Sequence, residues 1–319
     1  MILRPSFLPL AGLTVASLLS LTSVVRAGYE LTDEQKKVPL ETEVSDASAA
    51  KVVLLAGVVS NKPGQHEYFA GCTMLLKCLK ENAGVAPVLV AGGWPQNEAV
   101  LDHAKTVVIY MDGAEKLAFL PQARWERMRK LVADGTGLVL LHQAVDCPPA
   151  QAEEFKSWFG AVFKKETSCR GHWDMRLDPV SMHPILSGVV AYDAPKDGWL
   201  YNLQFASTGV TPILAGAVPA TARTTTDAKS HVGRAETMAW AYERPDGGRS
   251  FGFTGCDLHK NWGVEAQRRL VVNAVLWTAK LPVPSQGTAV AIEPGDLTSN
   301  FDAKPAPRPL LNREVKPAQ

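Results

Sequence analysis

The 319-residue chain has no marked excess of charge of either sign, and only 20% of its residues are charged. Lys and Arg number 33 and Asp and Glu number 32, which gives a net charge of +1. Without residues 1–27, which contain Arg4 and Arg26 but no acidic residue, the net charge is −1. This balance excludes a typical nucleic-acid binder, and no acidic run indicates a solvating tail.

Long apolar runs are absent after the N-terminus, so the sequence excludes a multispan membrane protein. Residues 1–27 are typical of an export signal, because Arg4 precedes a mostly apolar run and small or apolar side chains surround position 27. We predict cleavage after Ala27, a periplasmic or secreted location and no membrane contact after cleavage. An uncleaved anchor ranks second because the run is only moderately apolar.

Cysteine is scarce, and no CxxC motif exists that would indicate a zinc knuckle or a thioredoxin-type site. Five cysteines leave at least one unpaired within a monomer. Cys72 and Cys78 lie about 9 Å apart along a predicted helix, beyond the roughly 7 Å limit for a disulfide. Any pair among Cys147, Cys169 and Cys256 remains open to disulfide formation.

Strand and helix patterns alternate in the first half of the chain. Continuous apolar runs, typical of strands buried on both faces, occur at 51–59, 85–91, 106–111 and 138–141. Helical spacing of apolar residues follows the first run, and Pro121 opens another helix that ends near Gly135. The order predicts an α/β fold with a parallel sheet and helices on both faces.

The second half is less regular. Strand-like pieces occur at 172–177, 199–205, 212–214, 238–242 and 250–254, and a helix is predicted from about 263 to 279. We divide the chain into a loose N-terminal arm at 28–50, an α/β domain at 51–283 and a Pro-rich tail at 284–319.

Reactive side chains follow many of the predicted strands, and ligands of open α/β sheets bind at the carboxyl ends of strands. Four of the seven histidines lie at such positions, which favours acid–base chemistry or a histidine-based metal site. For any single histidine, a hydrogen-bonded loop or core role is the better interpretation. The candidate catalytic residues are His142, His172, Asp174 and His259, and the candidate ligands of a divalent metal (Zn, Mn or Fe) are His142, Asp257 and His259.

Candidate substrate-binding residues follow the same strands. Aromatic side chains among them would stack against a sugar, although core packing is the likelier role of any one. These candidates are His66, Glu67, Tyr68, Asp112, Gln143, Trp173, Trp199, Tyr201, Asn202, Lys260, Asn261 and Trp262.

His142 occupies the layout of a nucleophile elbow, in which a buried strand ends abruptly at one reactive side chain. Neither Cys nor Ser occupies the position, and Cys147 lies five residues too late. The alternative is a histidine that caps the following helix or binds a neighbouring loop.

Several motifs together resemble the ThuA-like, trehalose-utilisation family, in its exported branch, over residues 50–283. They are Gly64-Gln-His-Glu-Tyr68, Leu141-His-Gln-Ala-Val145, Gly171-His-Trp-Asp174, His183-Pro-Ile, the segment from Glu236 to Phe251 and His259-Lys-Asn-Trp262. The resemblance implies a flavodoxin-like three-layer α/β/α sandwich with a mostly parallel sheet, of the class I glutamine amidotransferase-like superfamily. It also implies a role in carbohydrate metabolism.

The departures from the family pattern bear on chemistry. His142 stands where class I amidotransferases need a cysteine, which argues against glutaminase activity. Asp257 stands where many exported relatives carry a histidine. The segment from Asp112 to Lys116 stands where many of them carry a Gly-rich loop that contains a histidine. Both departures argue against an all-histidine metal site.

We expect an exported hydrolase or lyase acting on a small carbohydrate, a disaccharide or oxidised sugar. The alternative is a non-catalytic carbohydrate-binding or accessory domain.

Overall fold

A computed structural model describes residues 29–305 of the chain. The predicted signal peptide and the end of the predicted tail lie outside these residues. No helix between residues 29 and 305 is long and apolar enough to cross a membrane.

Eleven strands occur between residues 29 and 305. In chain order they are β1 (Ala50–Ala56), β2 (Val85–Val90), β3 (Thr106–Tyr110), β4 (Gly137–Leu141), β5 (Ala161–Val162), β6 (Cys169–Pro179), β7 (Tyr192–Tyr201), β8 (Gln204–Phe205), β9 (Val210–Ala217), β10 (Ala235–Glu243) and β11 (Arg249–Phe253). Nine of them form one sheet in the order β2-β1-β3-β4-β11-β10-β9-β6-β7, and β5 pairs with β8.

The half of the sheet that carries the site is parallel. β2, β1, β3, β4 and β11 pair in parallel, with Leu55 of β1 aligned to Val90 on one side and Ile109 on the other. β10, β9, β6 and β7 continue the sheet in antiparallel pairs. The turn from Arg244 to Gly248 explains part of this change, because so short a connection joins only antiparallel strands.

Helices cover both faces of the parallel half. They are α1 (Tyr68–Lys80), α2 (Gln122–Ala133), α3 (Ala152–Phe159) and α5 (Glu265–Thr278), and a short α4 (Thr226–Lys229) lies beside the antiparallel half. α1 and α5 pack together on one face, whereas α2 and α3 share a core on the other through Trp125, Phe155 and Trp158. The predicted flavodoxin-like α/β/α sandwich is confirmed.

β1 ends at Ala56, three residues before the predicted end, and the chain then forms the loop that carries His66.

The loop after β3 and the turn after β4 come together because a glycine lets them approach. After β3, a Cβ atom at Gly113 would lie 2.1 Å from the carbonyl oxygen of Gln143. The loop after β3 therefore lies directly against the turn after β4.

The five cysteines are free thiols and all are buried, so no pair among Cys147, Cys169 and Cys256 is bridged. Residues 281–305 form no strand or α-helix, but they include a short 3-10 helix, Pro294–Thr298, and they pack on the α/β domain. Lys77 of α1 forms an ion pair with Asp296 at 2.6 Å. The described part of the predicted tail is therefore folded against the domain.

Candidate active site

Three buried side chains meet at the carboxyl edge of the parallel strands. His66 lies in the loop after β1, His142 begins a 3-10 turn directly after β4, and Asp257 follows β11. His66 and His142 both have left-handed backbone conformations, with φ of 49° and 55°. Such a conformation is costly for a side chain with a Cβ, and strain of this kind clusters at functional sites. We call these three residues the His66–His142–Asp257 centre.

The hydrogen bond of His142 to the backbone fixes its tautomer. Its Nδ1 atom lies 3.0 Å from the carbonyl oxygen of Thr254. A carbonyl only accepts, so Nδ1 carries the proton and Nε2 presents a lone pair to the centre. Burial, and then the charge of His66, lower the pKa of His142 to about 4. His142 is therefore a neutral imidazole at neutral pH.

A carboxylate orients His66. Its Nδ1 atom lies 2.9 Å from Oδ1 of Asp112, which also accepts hydrogen bonds from the hydroxyls of Tyr68 at 2.6 Å and Ser60 at 3.0 Å. Oδ2 of Asp112 pairs with Lys116 at 3.0 Å. Burial opposes its ionisation, yet the bonds from His66 and Tyr68 hold the pKa of Asp112 well below its usual range. Asp112 therefore stays charged and directs Nε2 of His66 at the centre.

Asp257 presents one oxygen outward and one to the centre. Oδ2 accepts hydrogen bonds from Gln65 at 3.0 Å and from His172 at 2.7 Å. Oδ1 is buried and has no hydrogen-bond partner among the described residues, although it lies 3.2 Å from Nε2 of His66. Burial raises the pKa of Asp257, but the nearby imidazole of His66 outweighs burial and brings it to about 2.

The three inward atoms form a compact set of electron donors. Nε2 of His66 lies 3.1 Å from Nε2 of His142, which lies 3.7 Å from Oδ1 of Asp257, and all lie within 4.8 Å of one another. Donor atoms around a tetrahedral metal, with bonds of about 2.0–2.1 Å, lie about 3.3 Å apart. The spacing of the three atoms therefore fits a divalent metal. A proton on His66 is the alternative, because it too would give the facing lone pairs a positive charge.

The charges around His66 favour a cation at this point. Burial alone would lower the pKa of His66, but the nearby carboxylates of Asp112 and Asp257 raise it above its ordinary value. Two nitrogen lone pairs facing each other at 3.1 Å repel unless a positive charge lies between them. A proton or a metal ion meets that requirement.

The structure brings together six of the residues predicted from the sequence: His66, Tyr68, Asp112, His142, His172 and Asp257. His172 is 58% exposed and contacts the centre from the solvent side. Asp174, on the same strand, is exposed and accepts a hydrogen bond from the backbone of Lys196 at 2.8 Å. It is not hydrogen-bonded to any residue of the centre.

His259 belongs to a different environment from the one predicted. It begins a 3-10 turn and is buried, but neither ring nitrogen has a hydrogen-bond partner between residues 29 and 305. Its ring packs edge-on against Phe301 at 4.9 Å. The predicted metal set of His142, Asp257 and His259 is thus replaced in the structure by one in which His66 takes the third place.

Most predicted sugar-binding aromatics are core residues. Trp199, Tyr201 and Trp262 are buried, and Trp199 donates a hydrogen bond to the carbonyl of Trp173 at 3.1 Å. Trp173 is half-buried and packs on Tyr201. These contacts leave no exposed aromatic platform among the four.

The remaining candidates divide between core and surface. Asn202 is buried and binds Asp227 and the carbonyl of Thr167 at 2.6 and 2.8 Å, and Asn261 binds the carbonyl of Pro195 at 3.4 Å. Glu67 is buried beside the centre but faces away from it, Gln143 is half-buried and Lys260 is exposed.

Sequence reasoning missed several contributors. Lys116 was recoverable, because it lies four residues after Asp112. Ser60, Gln65 and the carbonyl of Thr254 act through loop geometry that no spacing predicts.

A cavity of about 550 Å³ is lined by residues that include Ala114, Asp146 and Arg170, but none of the three residues of the centre lines it. Its lining is close in sequence to the site: Ala114 comes two residues after Asp112, Asp146 follows the turn that His142 begins, and Arg170 lies two positions before His172 on β6. Arg170 pairs with Asp146 at 2.6 Å and covers the ring of Phe163 at 4.5 Å. The cavity therefore offers charged hydrogen-bonding groups on segments that also carry residues of the site.

Comparisons with known proteins agree with this fold. The family model for trehalose utilisation, ThuA, matches residues 56–278. A protein described as ThuA-like from Bacteroides uniformis ATCC 8492 is 13% identical, with a TM-score of 0.55 over 74% of this chain and 94% of that one. One from Parabacteroides merdae ATCC 43184 is also 13% identical, with a TM-score of 0.54 over 76% and 97%. No curated protein matches the sequence.

Proposed function

The chain belongs to the ThuA, trehalose-utilisation, family, and we propose that it is an enzyme of carbohydrate metabolism with the His66–His142–Asp257 centre as its reactive site. The family supports the carbohydrate role. The centre supports catalysis, because two oriented imidazoles and a carboxylate converge with unshared lone pairs.

The observation that carries the proposal is the buried Oδ1 of Asp257, which has no hydrogen-bond partner. An ionised carboxylate oxygen is costly to bury unless a proton donor or a metal satisfies it. Together with the two imidazoles it forms the two-His, one-carboxylate donor set that suits Zn, Mn or Fe(II). We propose that this set holds one divalent metal.

A bound divalent metal would polarise a sugar oxygen and lower the pKa of a coordinated water. The chain's own residues hold and orient the donors. Asp112 keeps the proton of His66 on Nδ1, and the carbonyl of Thr254 does the same for His142. His172, at the solvent side, donates from Nε2 to Asp257, so Nδ1 is the atom placed to exchange a proton with a bound sugar.

The cavity lined by Asp146 and Arg170 is the proposed sugar site. Its size suits a ligand as large as a disaccharide, since small-molecule sites span about 300–1,000 Å³. Arg170 and Lys164 are paired with Asp146 and Glu153, so the cavity carries little net charge. Paired charges offer both donors and acceptors, which suits the hydroxyl groups of a neutral sugar. The proposed reaction is hydrolysis or elimination at an activated sugar carbon.

The binding-module alternative depended on the aromatic residues and on the altered ligand positions. Burial of Trp199, Tyr201 and Trp262 removes the support from the aromatic residues. We also propose that residues 1–27 direct export, so the mature protein begins at Gly28.

The test is metal content and turnover of residues 28–319, purified without chelator or affinity metal. We expect about one zinc, manganese or iron per chain and loss of that metal in His66→Ala and His142→Ala. His231→Ala, at a surface histidine, is the matched control. A panel of disaccharides and oxidised disaccharides is then assayed for products. Turnover by metal-free protein would overturn the proposal that the centre holds a metal. Unchanged turnover in both His66→Ala and His142→Ala would overturn the assignment of the centre as the reactive site.

A further inference from the structure

Lys304 is buried beside the loop that carries His66. Its side chain is 1% exposed. The ammonium group donates to the carbonyl oxygens of Gln65 and, at 3.2 Å, His66, and it pairs with Oε1 of Glu67 at 3.1 Å. An ammonium has three protons and is costly to bury unless they find acceptors. Three consecutive residues of one loop supply those acceptors.

Glu67 completes the link between this loop and the C-terminal segment, residues 281–305. Its carboxylate is also 1% exposed and accepts hydrogen bonds from the backbone N–H groups of Gly64 at 2.8 Å and Asp302 at 3.0 Å. Asp302 in turn accepts a hydrogen bond from Gln35 at 3.0 Å. The loop from 64 to 67 is thus held by contacts more than 230 residues away in sequence.

These contacts act on the backbone that aims the imidazole of His66. The N–H of His66 donates to the carbonyl oxygen of Asp257 at 3.0 Å, and its own carbonyl accepts from Lys304. The peptide groups on both sides of a residue with φ of 49° are therefore fixed. Without Lys304, the two carbonyls would lose their buried donor and the strained conformation would lose a support.

We propose that Lys304 is a positioning residue for the His66–His142–Asp257 centre, holding the loop from 64 to 67 so that Nε2 of His66 faces the metal. The expected effect on metal affinity rests on the proposed function, in which the centre holds a metal. Lys304 touches no donor atom of the centre. It acts through the backbone, as outer-shell partners of metal ligands do.

The chain offers a matched control for a merely structural anchor. Lys77 also ties the C-terminal segment to the domain, through its ion pair with Asp296, but it lies on α1 and contacts no residue of the loop from 64 to 67. Lys304→Met and Lys77→Met therefore each remove one anchor of the same segment. Only Lys304→Met also removes contacts with the loop that carries His66.

The experiment titrates Zn²⁺ into metal-free residues 28–319 against a chromophoric chelator and follows amide exchange of residues 64–67. We expect Lys304→Met to lower Zn²⁺ affinity about 10–100-fold and to speed exchange in the loop. Lys304→Arg, which keeps the cation and its donors, should recover most of the affinity. Lys77→Met should stay within about twofold of the unsubstituted protein.

A second variant covers misfolding caused by an unpaired buried Glu67. Glu67→Gln/Lys304→Met removes both charges and should show the same loss of affinity. Unchanged Zn²⁺ affinity in the folded single or double variant overturns the proposal.

Failure of the metal proposal is distinguishable. If the unsubstituted protein binds no Zn²⁺, the proposed metal fails, and amide exchange alone then decides for Lys304. Faster exchange in Lys304→Met but not in Lys77→Met supports positioning of His66, and equal exchange in both overturns it.

Discussion

His142 and His259 are two buried histidines with very different surroundings. Each begins a 3-10 turn, and burial lowers the pKa of both imidazoles to about 4. His142 uses Nδ1 on the carbonyl of Thr254 and presents Nε2 to His66. Neither ring nitrogen of His259 has a hydrogen-bond partner between residues 29 and 305, and the ring packs on Phe301. Burial therefore does not distinguish a reactive histidine, whereas converging donor atoms do.

The largest expected difference is in metal affinity. His142→Ala should lower Zn²⁺ affinity more than about 100-fold, because it removes a direct ligand, and outer partners alone contribute 10–100-fold. His259→Ala should leave that affinity within about threefold. Calorimetric titration of Zn²⁺ measures both, and equal losses in the two variants would mean that the two histidines share one site.

Removing the metal should change thermal stability in a way that distinguishes the surroundings of His142 from those of His259. A metal present at 100 times its Kd stabilises the folded state by about 2.7 kcal/mol. A chelator should therefore lower the Tm of the metal-bound protein by about 4 °C, given the size of the chain. His259→Ala should retain this shift and His142→Ala should lack it. Scanning calorimetry with and without chelator gives the answer, and a chelator shift in His142→Ala would contradict the assignment.

A smaller effect is expected at the carboxylate behind His66. Asp112→Asn keeps the shape but loses the charge that holds the proton on Nδ1, so Zn²⁺ affinity should fall about 10–100-fold. Asp174→Asn is the matched control, because Asp174 is exposed and binds only the backbone of Lys196. The same chelator competition compares them. Affinity unaltered by Asp112→Asn would show that His66 needs no oriented tautomer.

The smallest expected effect is on stability at His259. Its unpaired ring nitrogens make burial unfavourable, and an unsatisfied buried polar group costs about 1–3 kcal/mol. His259→Phe should therefore leave the free energy of unfolding unchanged or raise it by about 1 kcal/mol, with Zn²⁺ affinity retained. Urea denaturation measures this change. A loss above about 2 kcal/mol would indicate a partner for the ring outside residues 29–305.

The fold was largely predictable from sequence. Four continuous apolar runs predicted β1 to β4, because a strand buried on both faces has no polar alternation. The helical spacing after them predicted α1 and α2. The order of these elements then required a parallel sheet covered on both faces. The end of β1 was less predictable, since Val58 and Val59 continue the apolar run beyond Ala56.

The site was predictable only in part. His142, Asp112 and His66 follow strands of the parallel half, and their meeting at one edge follows from that topology. Asp257 was recognised as a departure from the family pattern. His259 was misassigned to the metal set because position after a strand does not determine where a side chain points. Lys304 lies in a Pro-rich segment without periodicity, and no sequence signal distinguishes it.

The sequence by itself determined the α/β order, the parallel strands and the edge at which reactive side chains gather, because these depend on local periodicity and chain connectivity. Tertiary structure decided the rest. It placed Nε2 of His66 and Nε2 of His142 3.1 Å apart, gave Asp257 an unshared oxygen, and brought Lys304 to the loop of His66. Such contacts depend on left-handed backbone conformations and on packing between distant segments, and neither has a fixed sequence spacing.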